Sequence, residues 1–275
     1  MRNVLTVLSL IFVLHLAHAQ EVVAPLDDKI NESSGLICLG DSLFITLNDS
    51  GNKNELYLVN SKGKTVNTCT INHAKNTDWE DLCLVDDTMV YIADYGNNAN
   101  KRKDLKVYIV PLKDILKSTS AQADSISFKY PDQTEFPPND ANKYYDAESL
   151  CYYNNQLWIF TKNRCKPFTG ISKVYSLPKK AGNYTATQHT SLKLKATNWM
   201  EECVTSATIS QEHLFVLTYN KIYVYQIVNG NLLWKKTIYL VRFGMWEAID
   251  VNNKNIYLTE EKNISLPQLY KLRWR

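Results

Sequence analysis

The stretch Glu148-Ser149-Leu150-Cys151-Tyr152-Tyr153-Asn154-Asn155-Gln156-Leu157-Trp158-Ile159-Phe160-Thr161 decides the fold. Its second half, Leu157 to Thr161, is dense in aromatic and β-branched residues, the composition of a buried strand. Asn154-Asn155 precedes it, and asparagine tolerates the positive φ of a tight hairpin turn. The unit therefore reads as strand, tight turn, strand. It recurs four more times along the chain. The heads of the first strands are Ser34-Gly35-Leu36, Glu80-Asp81-Leu82, Thr205-Ser206-Ala207 and Glu247-Ala248-Ile249. The turns are Gly40-Asp41, Asp86-Asp87, Ser210-Gln211 and Asn252-Asn253, and the second strands are Leu43–Leu47, Met89–Ala93, Leu214–Thr218 and Ile256–Thr259.

A third strand follows in every unit, marked by Tyr in its second place: Leu56-Tyr57-Leu58, Val107-Tyr108-Ile109, Val174-Tyr175-Ser176, Ile222-Tyr223-Val224 and Leu269-Tyr270-Lys271. A more polar fourth strand follows in the first four units, as at Ser125–Tyr130 and Leu232–Leu240. Four strands recurring about every 50 residues are the signature of propeller blades, so the expected fold is an all-β, five-bladed β-propeller. The last unit runs out at Arg275 after three strands, and Glu21–Pro25 is expected to supply the fourth and close the ring. Two β-sandwiches are the competing architecture, because they also space strands regularly. The loops Asn97–Lys106 and Pro131–Tyr145 are insertions, and Leu112–Leu116 could make one helical turn.

The first residues read as an export signal. Arg2 precedes a short apolar run, Val4–Leu16, and Ala17-His18-Ala19 is a small-x-small cleavage site. The expected division is a signal peptide over 1–19 and one propeller domain over 20–275, in a secreted or periplasmic protein without a membrane span. The formal net charge of +3 does not call for nucleic acid, and Lys101-Arg102-Lys103 reads as a solvated loop. Six cysteines without a CxxC pair exclude a zinc ribbon and read as buried thiols or as one or two disulfides. HExxH, GxSxG and a glycine-rich phosphate loop are all absent from the sequence. A monomer is expected.

In a propeller the first strand of each blade lines the central channel. Aligning those strands on their turns stacks Ser34, Glu80, Glu148, Thr205 and Glu247 in one column. Three carboxylates gathered without a cation would raise one another's pKa, and a hard divalent cation relieves them. An all-oxygen set suits calcium and disfavours zinc or copper. The alternative is that the carboxylates simply hydrogen-bond across the channel. Loops at the same mouth add candidate residues. Asn98, Lys162, Arg164 and Glu260 are candidates for binding an anionic ligand, and Asp49 and Asp94 for orienting a water.

The motifs Asn48-Asp49-Ser50-Gly51, Asp78-Trp79-Glu80-Asp81-Leu82, Ala93-Asp94-x-Gly96-x-Asn98 and Asp146-Ala147-Glu148 resemble those of a family of exported bacterial β-propeller proteins of unknown function, with Asn97 standing where an acidic residue is expected. More distantly, the Ser, Glu, Glu, Thr, Glu column is similar to that of the calcium-activated nucleotidases (apyrases), five-bladed propellers with an axial calcium. That resemblance implies a calcium shell of Ser34, Glu80, Glu148, Thr205 and Glu247. The expected function is an axial-calcium module that binds a small anionic ligand, glycan or protein at the channel mouth. The alternative is a calcium-dependent hydrolase of a nucleotide or other phosphate compound.

Overall fold

The computed structural model describes residues 20–195, 197–262 and 266–274. The expected export signal, 1–19, and the final Arg275 lie outside the described residues. The described chain forms a ring of five antiparallel blades, each with its first strand innermost. Blade 1 comprises Ser33–Cys38, Leu43–Asn48, Glu55–Asn60 and Thr65–Asn72. Blade 2 comprises Trp79–Val85, Met89–Asp94, Lys106–Pro111 and Asp124–Lys129. Blade 3 comprises Asp146–Tyr153, Gln156–Lys162, Ile171–Pro178 and Thr187–Lys193. Blade 4 comprises Ser206–Ser210, His213–Leu217, Lys221–Val228 and Asn231–Tyr239. Blade 5 takes Trp246–Asn252, Asn255–Glu260 and Gln268–Arg273 from the end of the chain. Its fourth strand is Glu21–Pro25, which pairs antiparallel with Gln268–Arg273, so the ring closes as the sequence indicated.

Two short strands lie outside the expected four-stranded units. Ser120–Gln122, reached through the short helix Leu112–Lys117, adds in parallel to the outer edge of blade 1. Gly182–Thr185, from blade 3, does the same for blade 2. These fifth strands cover sheet edges that would otherwise expose unpaired backbone. The expected turns hold with two offsets of one residue. Gln211-Glu212 carries the positive φ angles in blade 4, and Asn253 turns blade 5 after Asn252 has paired with Asn255.

Five apolar cores lie between neighbouring blades. Trp79 and Ile92 pack between blades 1 and 2, Tyr95 and Tyr175 between 2 and 3, and Phe160 and Val216 between 3 and 4. Phe215 and Trp246 pack between blades 4 and 5, and Phe44 and Tyr257 between 5 and 1. The recurring Tyr of each third strand serves the same seams. Its hydroxyl donates to Glu55, Asp94, Asp132, Glu202 and Glu260 in blades 1 to 5 respectively. All five carboxylates also pair with a cation: Lys53 with Glu55, Arg102 with Asp94, Lys173 with Asp132, Lys221 with Glu202 and Arg242 with Glu260. All six cysteines are free thiols. No helix among the described residues is long and apolar enough to cross a membrane.

Candidate cation site at the mouth of the axial channel

The column deduced from the turns has a structural cause. In four blades the column residue is the extra residue of a β-bulge. Ser34 falls between the pairs Ser33–Asn48 and Gly35–Leu47, and Glu80 between Trp79–Asp94 and Asp81–Ala93. Glu148 falls between Ala147–Thr161 and Ser149–Phe160, and Glu247 between Trp246–Glu260 and Ala248–Thr259. In blade 4 the Thr205 N–H donates to the Leu217 carbonyl at 3.0 Å while Ser206 pairs with the same residue, so two residues again face one. A bulge leaves one residue out of the ladder and re-aims its side chain. All five column residues are buried.

The carboxylates cluster around Glu80. Ligand oxygens of Glu80, Asp146 and Glu148 lie within 4.8 Å of one another, and so do those of Asp49, Asp78 and Glu80. Glu80 belongs to both triads. Gly96 makes room for it: a Cβ there would land on the Glu80 carboxylate and 2.5 Å from Asp78 Cγ. The loop is held in place by the Gly96 N–H on the Asp78 carbonyl (3.1 Å) and by the Asn97 N–H on Asp146 Oδ1 (2.8 Å). Asn97 also donates through Nδ2 to the Tyr145 carbonyl and accepts from the Lys101 and Arg102 amides through Oδ1. An acidic residue could not make that donation, which accounts for the amide at this position.

Two cations reach the cluster from one side. Lys162 Nζ donates to Glu148 Oε2 at 3.0 Å, and Arg164 Nε to Asp146 Oδ2 at 2.6 Å, with Arg164 Nη2 3.8 Å from Glu148. Both cations also lie against Trp199, and Lys162 lies against Tyr219. Burial alone would lower the Lys162 pKa, but Glu148 and Glu247 overcome it and the ammonium is held well above its ordinary value. Glu80 has no such relief. Burial raises its pKa first, and the charges that bear on it next are Glu148, Asp49, Asp78 and Asp146. Asp49 is pushed up to about 6 by burial and by Asp78 and Glu32, against the Ser50 amide and Lys162. Asp78 is raised to about 6 by burial and by Asp146. Further round the mouth, burial together with Glu247 and Asp49 lifts Glu261 to about 9.

The expected site residues are therefore distributed unevenly. Glu80 and Glu148 meet directly, Glu247 is near enough to bear on Glu148, and Asp49 joins the cluster. The Thr205 hydroxyl donates to the Trp246 carbonyl at 2.6 Å. Asp94 faces away, accepting from Arg102 (3.1 Å) and the Asp78 amide (3.0 Å). Asn98 is exposed and accepts from Arg164. Glu260 is held by Arg242 and Tyr270 at the seam of blade 5. Asp78, Asp146 and Glu261 were not read as site residues from sequence. The first two had a signal: each stands two residues before a column glutamate, in Asp78-Trp79-Glu80 and Asp146-Ala147-Glu148.

Chemically, the mouth is a set of hard oxygen donors with more negative than positive charge. The buried triads are of a size and composition that could hold a metal ion.

No family model matches the chain, and no curated protein matches it. Among solved structures it is similar to Myxococcus xanthus glutaminyl cyclase, with 12% identity, a TM-score of 0.57, and 92% of this chain and 95% of that one covered. A luciferin-regenerating enzyme (10% identity, TM-score 0.48, 95% and 94% covered) and the WD40 β-propeller domain of Doa1 (10%, 0.47, 92% and 97%) also match. At such identities the likeness is one of fold, and the chain is a five-bladed β-propeller.

Proposed function

We propose that the protein is an exported calcium-binding propeller whose mouth serves as a binding module for an extracytoplasmic ligand. The observation that carries this reading is Glu80: it is buried, shared by two carboxylate triads, and pressed chiefly by other carboxylates. A divalent cation there would remove the repulsion, and calcium accepts the mixed, loosely arranged oxygen set that Asp49, Asp78 and Glu80 offer. The inner triad is already countered by Lys162 and Arg164, which directs the ion toward the Asp49 side. The resemblance of the column to that of the calcium-activated nucleotidases supports the same ion.

The binding role is favoured over hydrolysis because Lys162 and Arg164 are engaged by Glu148 and Asp146 rather than directed at a phosphate. Hydrolysis of a phosphate compound is the second reading. It is supported by Asp49, half-buried within the Asp49, Asp78 and Glu80 triad and with its pKa raised to about 6, as a group able to accept a proton from water. Thermal unfolding in calcium and in chelator tests the ion. A calcium-dependent rise in Tm that Glu80→Gln abolishes is expected, worth roughly 4 kcal/mol at a thousand times Kd. No rise would overturn the reading. Phosphate release from nucleotides, measured on the calcium-loaded protein, separates the two roles.

A further inference from the structure

The gaps between the outer edges of neighbouring blades are closed in different ways. Residues 112–123, which join the third and fourth strands of blade 2, place Ser120–Gln122 on the outer strand of blade 1. Residues 179–186, the same connection in blade 3, place Gly182–Thr185 on the outer strand of blade 2. Between blades 5 and 1 the Gly63 turn abuts Pro25, and Asp27 accepts from Lys64 and from the Thr65 amide. Between blades 4 and 5, Lys236 donates to the Trp274 carbonyl and the Val241 amide to Gln20. In blade 4 the equivalent connection is the tight turn Asn229-Gly230, both residues at positive φ. That turn is too short to supply a strand. The outer edge of Thr187–Lys193 in blade 3 is bare: among the described residues no strand pairs with it. An open cavity of about 560 Å³ lies there, lined by His189–Lys193, the Asn229-Gly230 turn and Leu232.

The two faces of this edge differ. Leu192 belongs to the core between blades 3 and 4, so Ser191 and Lys193 on either side of it point the opposite way. The blade 4 wall of the groove is apolar. Leu232 lines the cavity, and Trp234, two residues on, is 60% exposed. Trp234 pairs with Tyr225, which also lines the cavity, so its ring stands on the same face of the sheet. Charge is one-sided as well. Residues 149–200 and 213–246 contain no Asp or Glu. Lys193, Lys195 and Lys235 are exposed within those stretches. Glu212, beside the Asn229-Gly230 turn, accepts from the Tyr153 hydroxyl. Lysines on an open edge repel the same edge of another copy and attract an acidic strand.

We propose that the groove between blades 3 and 4 is a docking site for an extended acidic peptide of a partner protein, which adds to Thr187–Lys193 as a fifth strand. Alternation along such a strand puts carboxylates on the Lys193 face and apolar side chains against Leu192, Leu232 and Trp234. Main-chain hydrogen bonds to the bare edge supply affinity, and the two unlike faces supply selectivity. The site lies on the outer wall of the ring, away from the carboxylate mouth, and needs no cation.

The test uses a fluorescein-labelled heptapeptide alternating Glu with Val, titrated against the full chain and followed by anisotropy. Saturable binding of one peptide per chain is expected, equal in calcium and in chelator. Affinity that appears only with calcium assigns the peptide to the mouth and overturns the groove. Lys193→Glu with Lys235→Glu should weaken binding at least tenfold, and Trp234→Ala likewise, all three side chains being exposed. Lys113→Glu, exposed on the helix Leu112–Lys117, should leave binding unchanged. N-methylation of alternate peptide amides separates strand addition from charge alone. At least one of the two alternating patterns should abolish binding. Full binding by both patterns, or polyglutamate bound as tightly as the peptide, marks a general polyanion surface and overturns the proposal. A flat titration overturns it too.

Discussion

Lys162 Nζ lies 3.0 Å from Glu148 Oε2, and each of the two side chains is 5% exposed. An ammonium therefore occupies one flank of the axial cluster, from the last residue of a blade 3 strand. Removing one partner of a buried pair leaves the other as an uncompensated charge. Lys162→Met should cost about 3–5 kcal/mol in chelator, measured by urea unfolding. Calcium should restore much of that loss, because the substitution frees a further carboxylate for the ion. A deficit indifferent to calcium would place the cation elsewhere.

The raised carboxylates set a pH dependence opposite to ordinary acid denaturation. Asp49 and Asp78 hold their protons to about pH 6 in the folded state, above their ordinary values, so the native protein binds more protons than the unfolded chain between those limits. Stability then falls as pH rises through that window, and Glu261, raised to about 9, extends the fall toward alkaline pH. In chelator, Tm should drop between about pH 4 and pH 6. In calcium the drop should flatten or reverse, since the ion binds the ionised forms. Identical profiles in the two buffers would count against a cation at this cluster.

Gly96 is required for space. A methyl group there would collide with Glu80 and Asp78, whose carboxylates would have to swing apart. Gly96→Ala should therefore weaken calcium binding at least tenfold, measured by calorimetry, while the far-ultraviolet dichroism of the ring stays intact. Wild-type affinity in this variant would exclude the Asp78–Glu80 pair as ligands.

The seams between blades should respond to loss of a single hydroxyl. Tyr175 is fully buried and donates to Asp132 at 2.8 Å, where Lys173 also binds. Tyr175→Phe leaves that carboxylate one partner short and should cost about 1–3 kcal/mol, read from urea unfolding, without changing calcium affinity.

Deleting residues 20–26 removes the strand that pairs with Gln268–Arg273, along with Leu26 from the core between blades 5 and 1. The exposed edge should make the truncated protein oligomerise, as measured by light scattering. A monodisperse truncated monomer would show that closure is dispensable.

Much of this was legible in sequence because it depends on local spacing. The Asn154-Asn155 hairpin, the Tyr of each third strand and the closing strand Glu21–Pro25 all follow from short-range pattern plus the need to bury sheet edges. The column was legible too, since identical units stack identical positions. Glu260 and Asp94 were harder to place. They stand in equivalent second strands at the same end as the column, but their ladder partners turn them toward Arg242 and Arg102 instead of the axis. Sequence spacing does not carry that half-turn of side-chain direction.

The chain by itself determined five blades, their order, and which strand position lines the axis, because hydrophobic alternation and turn residues act over a few neighbours. Tertiary structure decided what those axial positions do. Bulges aim the column inward, the loops bring Asp49 and Asp78 to Glu80, and Lys162 turns onto Glu148 where sequence had left it free for a ligand. Charge and ligand geometry act through space, between residues tens of positions apart, and the folded ring sets those distances.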